Sequence, residues 1–167
     1  VWSSNYSDFF KILITQDGGG KPLEEKTTNQ SSIVIEGLFP GTKYCFEIFP
    51  QGPNGTEGDP HTVCSTTDPS AVFNISVVNV TTTEMKLQWQ STDIASEYIY
   101  LVDIVSKHSS KQMNSSVNEI TLRDLTPGTL YNITIIPEVN NITGNSSTTT
   151  QYTQPQTHPT PVSYTHL

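Results

Sequence analysis

The chain has 167 residues, with 8 Lys and Arg against 16 Asp and Glu and a formal net charge of −8 at pH 7. Arg123 is the sole arginine, and without the clustered basic residues that nucleic-acid binding needs beside aromatic stacking platforms, that class of partner is set aside. No apolar run approaches the roughly 18–20 residues that cross a bilayer, and no leader peptide is visible.

Taken in order, the chain opens on Val1-Trp2, which reads as the middle of a strand, so further sequence is expected on both sides. Asp17-Gly18-Gly19-Gly20-Lys21-Pro22 reads as a loop between strands: its lysine lacks the spacing of a phosphate-binding loop, and a proline stands where a helix would start. Glu24-Glu25 reads as a solvated face. Tyr44, Phe46 and Ile48 alternate with Cys45 and Glu47, a half-buried strand. Asn54-Gly55 is a hairpin signal, after which Val63 and Cys64 fall on a return strand. Five further strands follow. "VFNISVVNV" sets Phe73, Ile75 and Val77 against Asn74 and Ser76, and "EMKLQWQ" sets Met85, Leu87 and Trp89 against Lys86, Gln88 and Gln90. "YIYLVDIV" gathers Tyr98, Tyr100, Val102 and Ile104, "EITLRDL" gathers Ile120 and Leu122, and "LYNITII" gathers Tyr131, Ile133 and Ile135. No sustained helical stripe appears, and short alternating runs split by polar turns predict an all-β fold of antiparallel sandwiches.

The chain also repeats itself. Leu38, Pro40, Gly41, Thr42, Tyr44, Ile48 and Pro50 recur 87 positions later as Leu125, Pro127, Gly128, Thr129, Tyr131, Ile135 and Pro137, and Trp2 recurs as Trp89. That period suits small independent domains better than solenoid units. Pro-Gly supplies turn chemistry. Tyr44 and Tyr131 are then placed to bury their rings and bond their hydroxyls back to upstream backbone, with Leu38 and Leu125 filling the core beneath. Trp2 and Trp89 complete the expected core.

A Trp followed 36 residues later by Leu-x-Pro-Gly-Thr-x-Tyr, twice in one chain, resembles the fibronectin type III module. The resemblance implies two tandem seven-stranded antiparallel β-sandwiches: residues 1–68, lacking the first strand and part of the second, and a complete module at 69–154. Residues 155–167 are left as a Pro/Thr-rich tail or foreign sequence. A true immunoglobulin domain would need a cysteine pair bridging the sheets around its tryptophan, and the second half has no cysteine. Beyond the module, "TTNQSSIVIEGLFPGTKYCFEI", "PSAVFNISVVNVTTTEMKLQWQS" and "ASEYIYLVDIVSKH" resemble the ectodomains of receptor-type tyrosine phosphatases.

Cys45 and Cys64 are the only cysteines. They flank Asn54-Gly55 symmetrically, so the hairpin brings them together as a disulfide, with Pro50, Pro53, Pro60 and Gly58 leaving the register open by a residue. Asn5, Asn29, Asn54, Asn74, Asn79, Asn114, Asn132, Asn141 and Asn145 stand in N-x-S/T, nine of the eleven asparagines. Chance gives roughly three in so Ser/Thr-rich a chain, so N-glycosylation in a secretory compartment is expected.

Enzyme signatures are missing. Neither cysteine is followed six residues on by the arginine of a phosphatase loop, no G-x-S-x-G elbow occurs, and His61, His108, His158 and His166 lack metal-ligand spacing. No catalytic residue, metal or cofactor is expected. By resemblance, the chain is a spacer and ligand-presenting segment on the extracellular side of a single-pass receptor, with an extracellular protein or matrix ligand as partner and receptor self-association as a further contact. A linked cytoplasmic phosphatase would act on signalling and adhesion proteins. The alternative is a type III pair from an adhesion or cytokine-type receptor without a linked enzyme.

Overall fold

Strands make up the regular structure of the computed structural model, which describes residues 9–17, 19–92 and 97–157, and no α-helix occurs among them. Trp2 and Asn5 lie outside the described residues. The principal break between two compact units falls between Ser70 and Ala71.

The first unit holds β1 (Phe9–Gln16), β2 (Glu24–Thr28), β3 (Lys43–Gln51) and β4 (His61–Thr66) in one antiparallel sheet of order β2-β1-β3-β4. Phe10, Ile12, Ile14, Tyr44 and Ile48 form the core on one face, with Ile33, Ile35, Leu38 and Phe46 packed against them. Seven strands are not reached here. Residues 32–36 keep the alternation of a strand, with Val34 76% exposed between half-buried Ile33 and Ile35, yet pair with nothing among the described residues. Val63 sits on the core face opposite Phe46 but is 49% exposed, because no second sheet covers it among the described residues. Leu38 is half-buried rather than fully enclosed for the same reason.

The second unit has two sheets. β5 (Phe73–Val80), β6 (Met85–Gln90) and β9 (Glu119–Leu122) form one. β7 (Ile99–Val105), β8 (Ser110–Ser115), β10 (Leu130–Val139), β11 (Ile142–Thr143) and β12 (Ser147–Tyr152) form the other, in which β10 pairs with β7, β11 and β12. Met85, Leu87, Trp89 and Leu122 from the first face Tyr100, Val102, Ile104, Tyr131, Ile133 and Ile135 from the second, all buried. The Trp89 indole meets the Tyr100 ring edge-on with centroids 5.2 Å apart, a favoured geometry for aromatic pairs. Leu125 is buried beneath the turn. Phe73 departs from the sequence expectation: it is 41% exposed. The register shifts between Phe73 and Ser76 and Asn74 takes φ 50°, so a bulge turns Phe73 outward and Val72 fills the core instead.

The repeated phrase builds the same corner in both units. The Phe39 N–H donates to the Tyr44 hydroxyl and the Thr126 N–H to the Tyr131 hydroxyl, each at 2.9 Å. Gly41 and Gly128 take φ 56° and 59°, a region other residues enter at a cost. A threonine at the end of the last strand closes each corner. Thr67 Oγ1 donates to the Phe39 carbonyl and Thr153 Oγ1 to the Thr126 carbonyl, both at 2.6 Å. The Thr42 and Thr129 N–H groups donate to those same hydroxyl oxygens at 3.0 Å.

Cys45 and Cys64 are disulfide-bonded and stand directly opposite one another on β3 and β4. The pairing stays in register as far as Ile48 opposite His61. The one-residue slip that the prolines suggested falls nearer the turn, where Gln51 opposes Glu57 and the Gly58 N–H donates to the Pro50 carbonyl at 2.8 Å. At the tip, Asn54 and Gly55 both take positive φ.

Two outcomes are expected. Replacing Tyr131 with Phe removes the partner of the Thr126 N–H at a part-buried corner and should destabilise the second unit by about 0.5–1.5 kcal/mol, read by urea denaturation of a Trp2→Phe background through Trp89 fluorescence. Replacing both cysteines with Ala reopens a loop of about 20 residues and should cost the first unit about 3 kcal/mol while leaving the second unchanged, read as a shift of only one transition in calorimetry.

Candidate functional site

What the fold offers is surface. Strand periodicity sends every second side chain outward, and the eight sequon asparagines among the described residues, Asn29, Asn54, Asn74, Asn79, Asn114, Asn132, Asn141 and Asn145, are all exposed. Asn29 follows β2, Asn54 caps the β3–β4 hairpin, Asn74 and Asn79 lie on β5, and Asn114 and Asn132 lie on β8 and β10. Asn141 and Asn145 flank β11. Asn132 occupies the repeat position of Cys45; one site faces out with an amide, its counterpart with a disulfide sulfur.

The outer face of the three-stranded sheet carries a polar network. Glu119 accepts from Gln88 Nε2 at 3.0 Å and pairs with Lys86 Nζ at 3.1 Å. The Gln88 bond, then Lys86, holds the Glu119 carboxyl below its ordinary range, since hydrogen bonds and a neighbouring cation favour the charged form. Beside it Asn74 Nδ2 donates to Gln90 Oε1 at 2.9 Å. In the first unit Lys11 lies over the Phe49 ring, 4.7 Å from its centroid, and pairs with Glu57.

No arrangement among the described residues joins a nucleophile to a base. No three His, Cys, Asp or Glu side chains gather as metal ligands there. His61 and His108 are exposed, and His158 and His166 lie outside the described residues. No helix of the described residues is long and apolar enough to cross a membrane.

Residue patterns passed over Thr67 and Thr153, which close the two corners. Their signal was present in Thr67-Asp68-Pro69 and Thr153-Gln154-Pro155. These lie 86 rather than 87 positions apart, so a fixed repeat register slides past them.

The model of the fibronectin type III domain matches residues 70–158, just over half of the chain. The chain is 59% identical over 155 residues to human receptor-type tyrosine-protein phosphatase eta and 55% identical over 156 residues to its mouse counterpart. Each match takes in 93% of this chain but 12% of the relative, so the chain spans a small part of their length. Among solved structures, a two-domain fibronectin type III segment of chicken tenascin superposes with a TM-score of 0.63 at 18% identity, covering 90% of this chain and 86% of that one, a likeness of fold alone. With the paired sheets, the tyrosine corners and the matched residues in agreement, the chain belongs to the fibronectin type III family.

Proposed function

We propose that residues 1–68 and 69–154 are spacer and ligand-presenting modules on the extracellular side of a single-pass receptor protein tyrosine phosphatase. In that receptor a cytoplasmic domain would remove phosphate from phosphotyrosine in signalling and adhesion proteins. The observation that carries the reading is the 59% identity to the human receptor phosphatase over 93% of the chain. What supports it in kind is the exposure of eight sequon asparagines and a cross-strand disulfide, which suit an oxidising, aqueous exterior. A rigid sandwich with its polar groups turned outward holds surfaces at a set distance without chemistry of its own, and a partner of the extracellular-protein or matrix class would meet the faces and loops. Self-association of receptors is the second contact proposed. The enzymatic step rests on family likeness, because sandwich folds host many functions.

The test is a chimaera in which this chain replaces its matching segment in the human relative, expressed in mammalian cells. The expected product reaches the cell surface, loses mass on N-glycan removal and keeps phosphotyrosine-peptide hydrolysis, while the isolated chain hydrolyses none. A surface-excluded, sugar-free chimaera would overturn the extracellular reading.

A further inference from the structure

On the outer face of the three-stranded sheet lies a recess of about 570 Å³ lined by Asn74, Ser76, Gln88, Gln90, Val117 and Glu119 among others. Its volume falls within the roughly 300–1,000 Å³ of ordinary ligand sites. One wall is itself a sequon, Asn74-Ile75-Ser76. We propose that the recess seats the first sugars of an N-glycan carried by Asn74, so that this glycan lies along the protein. The proposal rests on the secretory reading above.

Three observations carry it. The β5 bulge and the φ of 50° at Asn74 re-aim that side chain, and asparagine tolerates this backbone region better than most residues. The amide does not point away from the sheet: Nδ2 reaches across to β6 and donates to Gln90 Oε1 at 2.9 Å. Beyond Gln90 the recess continues over Gln88 to Val117 and Glu119. A sugar on Nδ2 therefore starts over β6, with the recess ahead of it.

The chemistry is compatible with the contact already present. In glycosyl transfer from a lipid-diphosphate oligosaccharide, Nδ2 forms a bond to the anomeric carbon, the bond from that carbon to the diphosphate oxygen breaks, and Nδ2 loses one proton. One N–H remains, enough to keep the bond to Gln90. Gln88, whose amide is fixed by Glu119 at 3.0 Å, and the Glu119 carboxylate offer partners for hydroxyls and the N-acetyl group. Val117, 57% exposed, offers an apolar surface to the C–H face of a sugar ring. Its exposure has no partner in the fold and acquires one in this arrangement.

The experiment uses the whole chain secreted from mammalian cells, treated with peptide-N-glycanase in native and denatured form, with release followed site by site by mass spectrometry. Asn74 should carry sugar and lose it in the native protein about tenfold more slowly than Asn132, a factor equivalent to ~1.4 kcal/mol. Denaturation should erase the difference. Val117→Ser and Gln90→Ala, both at exposed positions outside the sequon, should keep Asn74 glycosylated and remove most of the protection. Equal native release at Asn74 and Asn132 overturns the proposal, as does a bare Asn74 beside a glycosylated Asn132. Sugar at none of the sequons overturns the secretory reading and this proposal together.

Discussion

The corner at which Tyr44 and Tyr131 bond upstream backbone is the constraint on which each unit depends. In the second unit, where the chain crosses from one sheet to the other, it turns partly under cover, and such a turn leaves backbone groups short of water. The tyrosine hydroxyl takes one N–H, and the threonine hydroxyl takes a second N–H and gives its proton to a carbonyl. Three polar groups are satisfied by two side chains whose remaining atoms are apolar and buried. Thr153, 2% exposed, is tolerated in the interior for this reason alone. The same set in the first unit, at the same distances, shows that the corner survives large changes in the sequence around it.

Much of this was legible beforehand, and the limits have physical causes. Alternation in β6, β7 and β10 foretold the buried faces because those strands are regular and covered. The β5 strand misled at Phe73, since a bulge shifts the register there while Ile75 and Val77 stay half-buried as their alternation suggests, and nothing in "VFNISVVNV" marks where the extra residue falls. The disulfide was legible because a hairpin signal lay midway between the cysteines. Its register was not, because proline removes ladder bonds without saying where the slip occurs. Residues 32–36 alternate like a strand yet pair with nothing among the described residues, because a strand needs a neighbour and alternation carries no information about one.

The surface was read less completely than the core. Sequons identify an asparagine but not the direction of its amide. Asn132 and Asn74 are alike in sequence and differ in three dimensions: Asn132 sits in an unbroken ladder opposite Thr150, whereas Asn74 leans across the sheet to Gln90. Chain geometry, not motif, separates the two. Likewise the Gln88–Glu119–Lys86 network brings together residues more than 30 positions apart on strands whose pairing no local pattern specifies.

The threonine clamp also bears on how a string of such units would carry load. Thr67 and Thr153 are followed at once by the residues through which the chain leaves each unit, and Gly41 and Gly128 bond the carbonyls of Asp68 and Gln154 just beyond. A pull along β4 or β12 therefore meets several hydrogen bonds lying across the direction of tension. They must yield together in shear, so the exit of each unit is a mechanical anchor and not a fraying end.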